Sequence, residues 1–119
     1  DRMPKRGVVA EIGVAHGDFS REIFTRCSPE KLILIDSWAS DRYKKGLDSI
    51  ETEFAEQISN NTVEIRQGIS VDVLSGLPSD SLDWAYIDTN HSFETTLLEL
   101  NLCERLVKPG GRIAGAVPE

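Results

Sequence analysis

Cysteine is scarce in this sequence: Cys27 and Cys103 are the two thiols in 119 residues. Two cysteines so far apart supply neither a metal knuckle nor a disulfide framework. Both fall in stretches patterned as helix, where a small buried apolar residue is expected, and that usage fits a reducing compartment. No apolar run approaches the length needed to span a bilayer, and no signal-peptide pattern is present. A cytoplasmic location without a membrane partner is the expectation. Basic charge is also short, with 13 Lys and Arg against 20 Asp and Glu and a formal net charge of -7. Phosphate backbones are gripped by clustered cations, so no nucleic-acid partner is expected. The small cluster Arg2, Lys5 and Arg6 reads as a solvated terminus. There is no internal repeat, low-complexity tract or linker, and the length suits one domain over 1–119. The chain opens with Asp1, as a processed or trimmed chain would, so incomplete ends are expected.

What is present is an alternation of two patterns. Apolar runs at Val8–Val14, Lys31–Asp36, Val63–Gln67, Leu82–Asp88 and Arg112–Val117 read as strands. Most lack polar alternation, as parallel strands covered on both faces do. Between them lie helical patterns. Tyr43, Leu47, Ile50, Phe54 and Ile58 form one stripe, with charges opposite. Phe93 to Val107 carries a wide stripe of Leu97, Leu98, Leu100, Leu102, Cys103 and Leu106, so this helix is expected to be well buried. On it, Glu94, Glu99 and Glu104 read as a solvated face. Asp18 is placed to cap a helix running through Arg26, and Ser70 a short one before Leu77. Lys108-Pro109-Gly110-Gly111 reads as a helix stop and tight turn. Strand-helix repetition predicts an α/β three-layer sandwich with a parallel sheet in the order 3-2-1-4-5. On such sheets ligands bind beyond the carboxyl ends of the strands.

Those strand ends carry the unusual residues. The first strand ends in Glu11-Ile12-Gly13-Val14-Ala15-His16-Gly17. Two glycines permit a tight turn and close approach of a ligand, and the following helix offers its amides. The dinucleotide fingerprint is absent, because Ala15 stands where its middle glycine belongs. The second strand ends in Asp36-Ser37-Trp38. Asp36 lies about twenty residues past the turn, the spacing at which a carboxylate meets a ribose diol. Trp38 either covers an adenine face or belongs to the core. The third strand ends in Gly68-Ile69-Ser70, where a glycine turns the chain under a flat base and Ile69 packs on it. Ser70 offers a hydroxyl to a ligand or caps the next helix. The fourth ends in Asp88-Thr89-Asn90-His91, a polar cluster that packing does not explain.

Taken together these pieces resemble the class I S-adenosylmethionine-dependent methyltransferases. The matching segments are Glu11-x-Gly13-x-x-x-Gly17, Asp36, Gly68-Ile69-Ser70, Leu82-Asp83-x-x-Tyr86-Ile87-Asp88, and Leu106-Val107-Lys108-Pro109-Gly110-Gly111. The run Ile87-Asp88-x-x-His91-Ser92-Phe93-Glu94 is similar to the small-molecule branch called the methyltransferase-24 group. The resemblance implies a Rossmann-like core that binds S-adenosylmethionine. It implies adenosyl and methionine contacts near Gly13, Gly17, Asp36 and Gly68, with Glu11, Ala15, Ser37, Trp38, Ile69 and Ser70 grouped beside them. Asp88 would border the methyl-transfer site. Members of the group continue into a further helix and a final hairpin. Pro118-Glu119 ends this chain there, so the expected unit is a truncated core lacking the final hairpin strands. The fifth strand would then be an edge exposing Ile113 and Val117, to be covered by a homo-oligomer partner or by further chain.

Methyl transfer needs a positioned nucleophile and, for some acceptors, a base. Asp88 and His91 are the expected catalytic residues, with His91 the candidate base. His91 equally suits a helix start, and His16 reads as a turn residue beside the cofactor. Asp88 with Asn90 offers oxygen ligands for magnesium. Metal-using relatives take further ligands after the fifth strand, where no clear Asp or Asn stands, so no metal is expected. The expected partner is a small-molecule methyl acceptor. Two other functions fit less well: a non-catalytic cofactor-binding domain, and an NAD-dependent oxidoreductase.

Overall fold

The computed structural model describes residues 5–89 and 92–115, with the side chain of Arg42 left aside. The strands are β1 (Val8–Ile12), β2 (Lys31–Asp36), β3 (Val63–Gln67), β4 (Leu82–Ile87) and β5 (Val107–Gly115). They form one sheet in the order β3-β2-β1-β4-β5, every pair parallel. The helices are α1 (Asp18–Cys27), α2 (Asp41–Glu53), α3 (Ala55–Ser59), α4 (Ser70–Ser75) and α5 (Phe93–Leu106).

The runs of the central strands β1 and β2 are nearly continuous because both faces of the sheet are covered there, and alternate residues serve different layers. Val9, Leu32, Leu34 and Trp84 face a cluster with Ile23 and Cys27 of α1 and Ile50 of α2. Ala10, Ile12, Ile33, Ile35, Ala85 and Ile87 face the other, with Leu74 of α4 and Cys103 and Leu106 of α5. The three-layer sandwich is therefore built as expected. Both thiols are reduced and buried. Burial raises both thiol pKa values, Cys103 to about 12. Among the described residues no helix is long and apolar enough to cross a membrane.

Several local expectations are corrected. The stripe from Tyr43 to Ile58 is broken at Phe54 (φ -102°, ψ 22°), which separates α2 from α3. Gly17, at φ 86°, is the N-cap of α1, and Asp18 is its first helical residue, pairing with Arg21. Ser70 likewise opens α4 after the N-cap Ile69. The chain passes from α5 directly into β5. The pairing moves from Leu82–Val107 to Trp84–Arg112, so residues 108–111 bulge opposite Asp83 alone. Ile113 is half-buried against the core, and Val117 lies outside the described residues. The wide stripe of α5 is only partly used. Thr96, Glu99, Cys103 and Leu106 form its buried line, while Phe93, Leu97 and Leu98 are exposed. The recurring glutamates thus do not share one solvated face, because Glu99 has no exposed surface.

Close approach of α2 to the turn after β1 requires a glycine that the sequence pattern does not flag. A Cβ on Gly46 would lie 2.3 Å from the Ala15 carbonyl oxygen. Gly46→Ala is expected to lower the unfolding free energy by roughly 1–3 kcal/mol, the usual cost of overpacking. Gly76→Ala, whose added carbon meets nothing nearer than 3.6 Å, should change it little. Urea unfolding of both variants tests this, and equal losses would contradict it.

Candidate active site

The parallel strands deliver β1, β2, β3 and β4 to one edge of the sheet, and there a cleft of about 480 Å³ opens. The turn after β1 alternates left-handed residues, with φ 92° at Gly13, 53° at Ala15 and 86° at Gly17. A side chain at Gly13 is barred, since its Cβ would stand 2.2 Å from the Asp88 carbonyl oxygen. Asp36 holds this turn. Its Oδ2 accepts the amides of Val14 and Ala15, each at 2.8 Å, and its Oδ1 accepts that of Trp38 at 3.0 Å. A carboxylate has about four acceptor positions, so roughly one remains, on Oδ1. Three backbone amides thus already occupy most of the acceptor capacity that was expected to meet a ribose diol. Ser37, exposed beside it, offers a separate hydroxyl to the cleft.

Trp38 does not present a face to the cleft. Its ring is wholly buried in the α1–α2 layer and donates from Nε1 to the Ala15 carbonyl at 2.8 Å. The core alternative holds here, with Trp38 in a left-handed backbone conformation at φ 44°.

Of the other expected site residues, Gly13, Ala15, Gly68, Ile69, Ser70 and Asp88 line the cleft. Ile69 is largely exposed there, and Asp88 is exposed. The Ser70 hydroxyl points neither to a helix amide nor to open space: it donates to Glu99. Gly17 caps α1 behind the cleft, its Cα against Ile50. Exposed His16 has its ring 6.1 Å from that of Tyr43. His91 and Asn90 lie outside the described residues. Among the described residues no group of three or more His, Cys, Asp or Glu is arranged to hold a metal ion. A larger hollow, about 680 Å³, lies at the opposite, amino edge beside Gly7 and the 108–111 bulge, away from the glycine turn.

Four lining residues were missed by the sequence pattern: Val14, Ile35, Tyr43 and Thr89. Tyr43 comes from the first turn of α2 and carried a helical-stripe signal that pointed to the core. Thr89 stood inside the polar run after β4, the one signal available for it.

Glu11 sits beneath the cleft on the α1 side, 1% exposed, accepting a 2.5 Å hydrogen bond from the Ser20 hydroxyl. Burial pushes its carboxyl up from 4.5 to about 8. The Ser20 bond opposes this, and the negative charges of Asp88 and Asp36 add to it. Among the described residues no Lys or Arg lines the cleft, while Asp36 and Asp88 do. The site is thus electrostatically suited to a cation and hostile to a polyanion.

The sequence profile of the methyltransferase-24 family, described as a methyltransferase domain, matches residues 10–115. This chain belongs to that family of S-adenosylmethionine-dependent methyltransferases. No curated protein matches it significantly. Its fold is similar to that of precorrin 8w decarboxylase from Methanobacterium thermoautotrophicum, at 22% identity and TM-score 0.68 over 97% of this chain and 56% of that one. It is also similar to precorrin-6y C5,15-methyltransferase from Geobacter metallireducens, at 18% identity and TM-score 0.68 over 94% and 54%. The YcgJ protein of Bacillus subtilis matches at 17% identity and TM-score 0.62 over 94% and 44%. At such identities the likeness is one of fold. This chain spans less than two thirds of the length of each.

The Glu11 site generates a pH prediction. Between pH 4.5 and about 8 the folded carboxyl keeps a proton that the unfolded chain has released. Its contribution to stability is therefore full below 4.5 and is lost as pH rises toward 8. Glu11→Gln abolishes this loss. Its stability relative to the unsubstituted chain should improve with rising pH by at most about 1.4 kcal/mol per unit. Denaturant unfolding at about pH 5 and about pH 7.5 measures it, and parallel behaviour of the two proteins would show Glu11 ionised throughout.

Proposed function

We propose that this chain binds S-adenosylmethionine in the carboxyl-edge cleft and carries methyl transfer to a small-molecule acceptor. The observation that carries the reading is the state of the glycine turn. In a dinucleotide site the turn amides meet pyrophosphate. Here the Val14 and Ala15 amides are already held by Asp36, and among the described residues the lining adds acids and no Lys or Arg. A ligand with a cationic centre and an unphosphorylated ribose fits this donor set. NAD does not.

In this reading Asp36 and Ser37 hold the ribose, and Gly68 with Ile69 lies against the base. Gly13, Ala15 and Gly17 shape the methionine side. Glu11 acts from below, as a buried protonated carboxyl bonded to Ser20. Bound S-adenosylmethionine supplies the electrophilic methyl carbon. Asp88 borders the acceptor side, where its charge favours a positive neighbour. His91, three residues on, is assigned as base for an acceptor that must lose a proton; an acceptor already nucleophilic needs only to be positioned. Among the described strands β5 has β4 as its one neighbour. That open edge supports closure by a second copy of the chain or by further strands of a longer protein.

A thermal-shift panel tests the cofactor. S-adenosylmethionine and S-adenosylhomocysteine should each stabilise the protein, by roughly 2.7 kcal/mol at 100-fold excess over Kd, and NAD should not. Stabilisation by NAD alone would overturn the reading. Calorimetry on Asp36→Ala tests the ribose contact. One hydrogen bond to a charged acceptor predicts a loss of roughly 1.5–3 kcal/mol in affinity for S-adenosylhomocysteine, beside a lower melting temperature from the released turn. Full affinity in the folded variant would remove Asp36 from the site.

A further inference from the structure

The buried Glu99 is difficult to explain by packing. It lies on the inward line of α5, between Thr96 and Cys103, with no exposed surface. A leucine there would join the cluster formed by Leu74, Cys103 and Leu106, whereas a carboxylate must be desolvated and is tolerated only where partners meet it. The partners are specific. Its Oε2 accepts the Ser70 hydroxyl, and its Oε1 accepts the Thr89 hydroxyl at 2.8 Å. Ser70 begins α4 just after β3, and Thr89 follows the end of β4. Both line the cleft. Neither loop is a sequence or sheet neighbour of the other, since β2 and β1 stand between β3 and β4.

The linkage continues across the edge. A Cβ on Gly13 would stand 2.9 Å from the Thr89 methyl group, so Thr89 is seated between the glycine turn and Glu99. Ser70, Glu99, Thr89 and Gly13 thus run from the end of β3 to the end of β1 beneath the cleft. Asp88 adjoins Thr89, and Ile69 adjoins Ser70, so the same bridge sets the backbone of the acceptor-side acid and of the base-side apolar contact.

We propose that Glu99 is a positioning residue, which locks the β3–α4 and β4–α5 loops together and so fixes the floor of the cofactor cleft. This rests on the reading of the cleft as the S-adenosylmethionine site. Glu99 touches no ligand in this scheme and acts through the two hydroxyls. The bridge depends on a carboxylate-shaped group with two polar atoms, and glutamine supplies one: its carbonyl accepts one hydroxyl, and its amide donates to the other after that hydroxyl turns.

The test is calorimetric titration of S-adenosylhomocysteine into the unsubstituted protein, Glu99→Ala and Glu99→Gln, each first shown to be fully folded at the working temperature. Glu99→Ala should raise Kd by about tenfold or more, and Glu99→Gln by less than about threefold. A role confined to stability would lower the melting temperature of Glu99→Ala and leave Kd unchanged, and that result overturns the proposal. Should Glu99→Ala fail to fold, Thr89→Val and Ser70→Ala each cut one arm. Each should raise Kd by about threefold or more, and unchanged affinity in both overturns the proposal equally. If the unsubstituted protein itself does not bind S-adenosylhomocysteine, the cofactor reading falls and the proposal falls with it. Binding by the unsubstituted protein with unaltered variants rejects the role of Glu99 alone.

Discussion

The cleft depends first on one carboxylate. Asp36 leaves the end of β2 and takes the amides of Val14 and Ala15 from the turn after β1, then that of Trp38 from its own loop. Three backbone donors that would otherwise point at solvent or ligand are satisfied inside the protein. The left-handed Ala15 is held by this contact, and left-handed backbone at a residue with a Cβ is unfavourable without such support. Trp38 completes the arrangement by donating its indole N–H back to the Ala15 carbonyl. The shape of the glycine turn, the inward course of Trp38 and the reduced acceptor capacity of Asp36 all follow from the same contacts.

Two buried glutamates frame the cleft from opposite layers. Glu11 lies on the α1 side with Ser20, and Glu99 on the α5 side with Ser70 and Thr89. Each is a polar choice at a position where an apolar residue packs more cheaply, and each ends at the same carboxyl edge. Such local conflicts concentrate where a site must be shaped. Asp36 and Asp88, which line the cleft, give the edge an acidic character within a chain already at -7. An acidic lining of this kind suits a cationic ligand better than a pyrophosphate.

The strands were legible because parallel strands covered on both faces are largely apolar, as β1 and β2 are, while the edge strand β3 alternates. The runs at Lys31–Asp36 and Val63–Gln67 coincide with β2 and β3. The lining glycines and acids were legible for a related reason: they stand directly after strands, and the parallel sheet brings all such positions to one edge. Periodicity failed on α5. Its leucines are spread around the helix, so hydropathy did not separate the buried line from the exposed Phe93, Leu97 and Leu98. The same blindness assigned Glu99 to solvent. Gly46 went unnoticed because its requirement comes from the Ala15 carbonyl, thirty-one positions away in the chain.

By itself the sequence carried the strand-helix alternation and the parallel order expected from it, the resemblance to the family, and the expectation of a site at the carboxyl edge, since these rest on residue type and spacing along the chain. Tertiary structure alone decided how those residues spend their polar atoms. It assigned the Asp36 oxygens to turn amides, the Trp38 ring to the core, the Ser70 hydroxyl to Glu99 and the raised pKa to Glu11. The physical reason is that hydrogen-bond capacity and desolvation are properties of neighbours in space, and these neighbours come from different strands and helices.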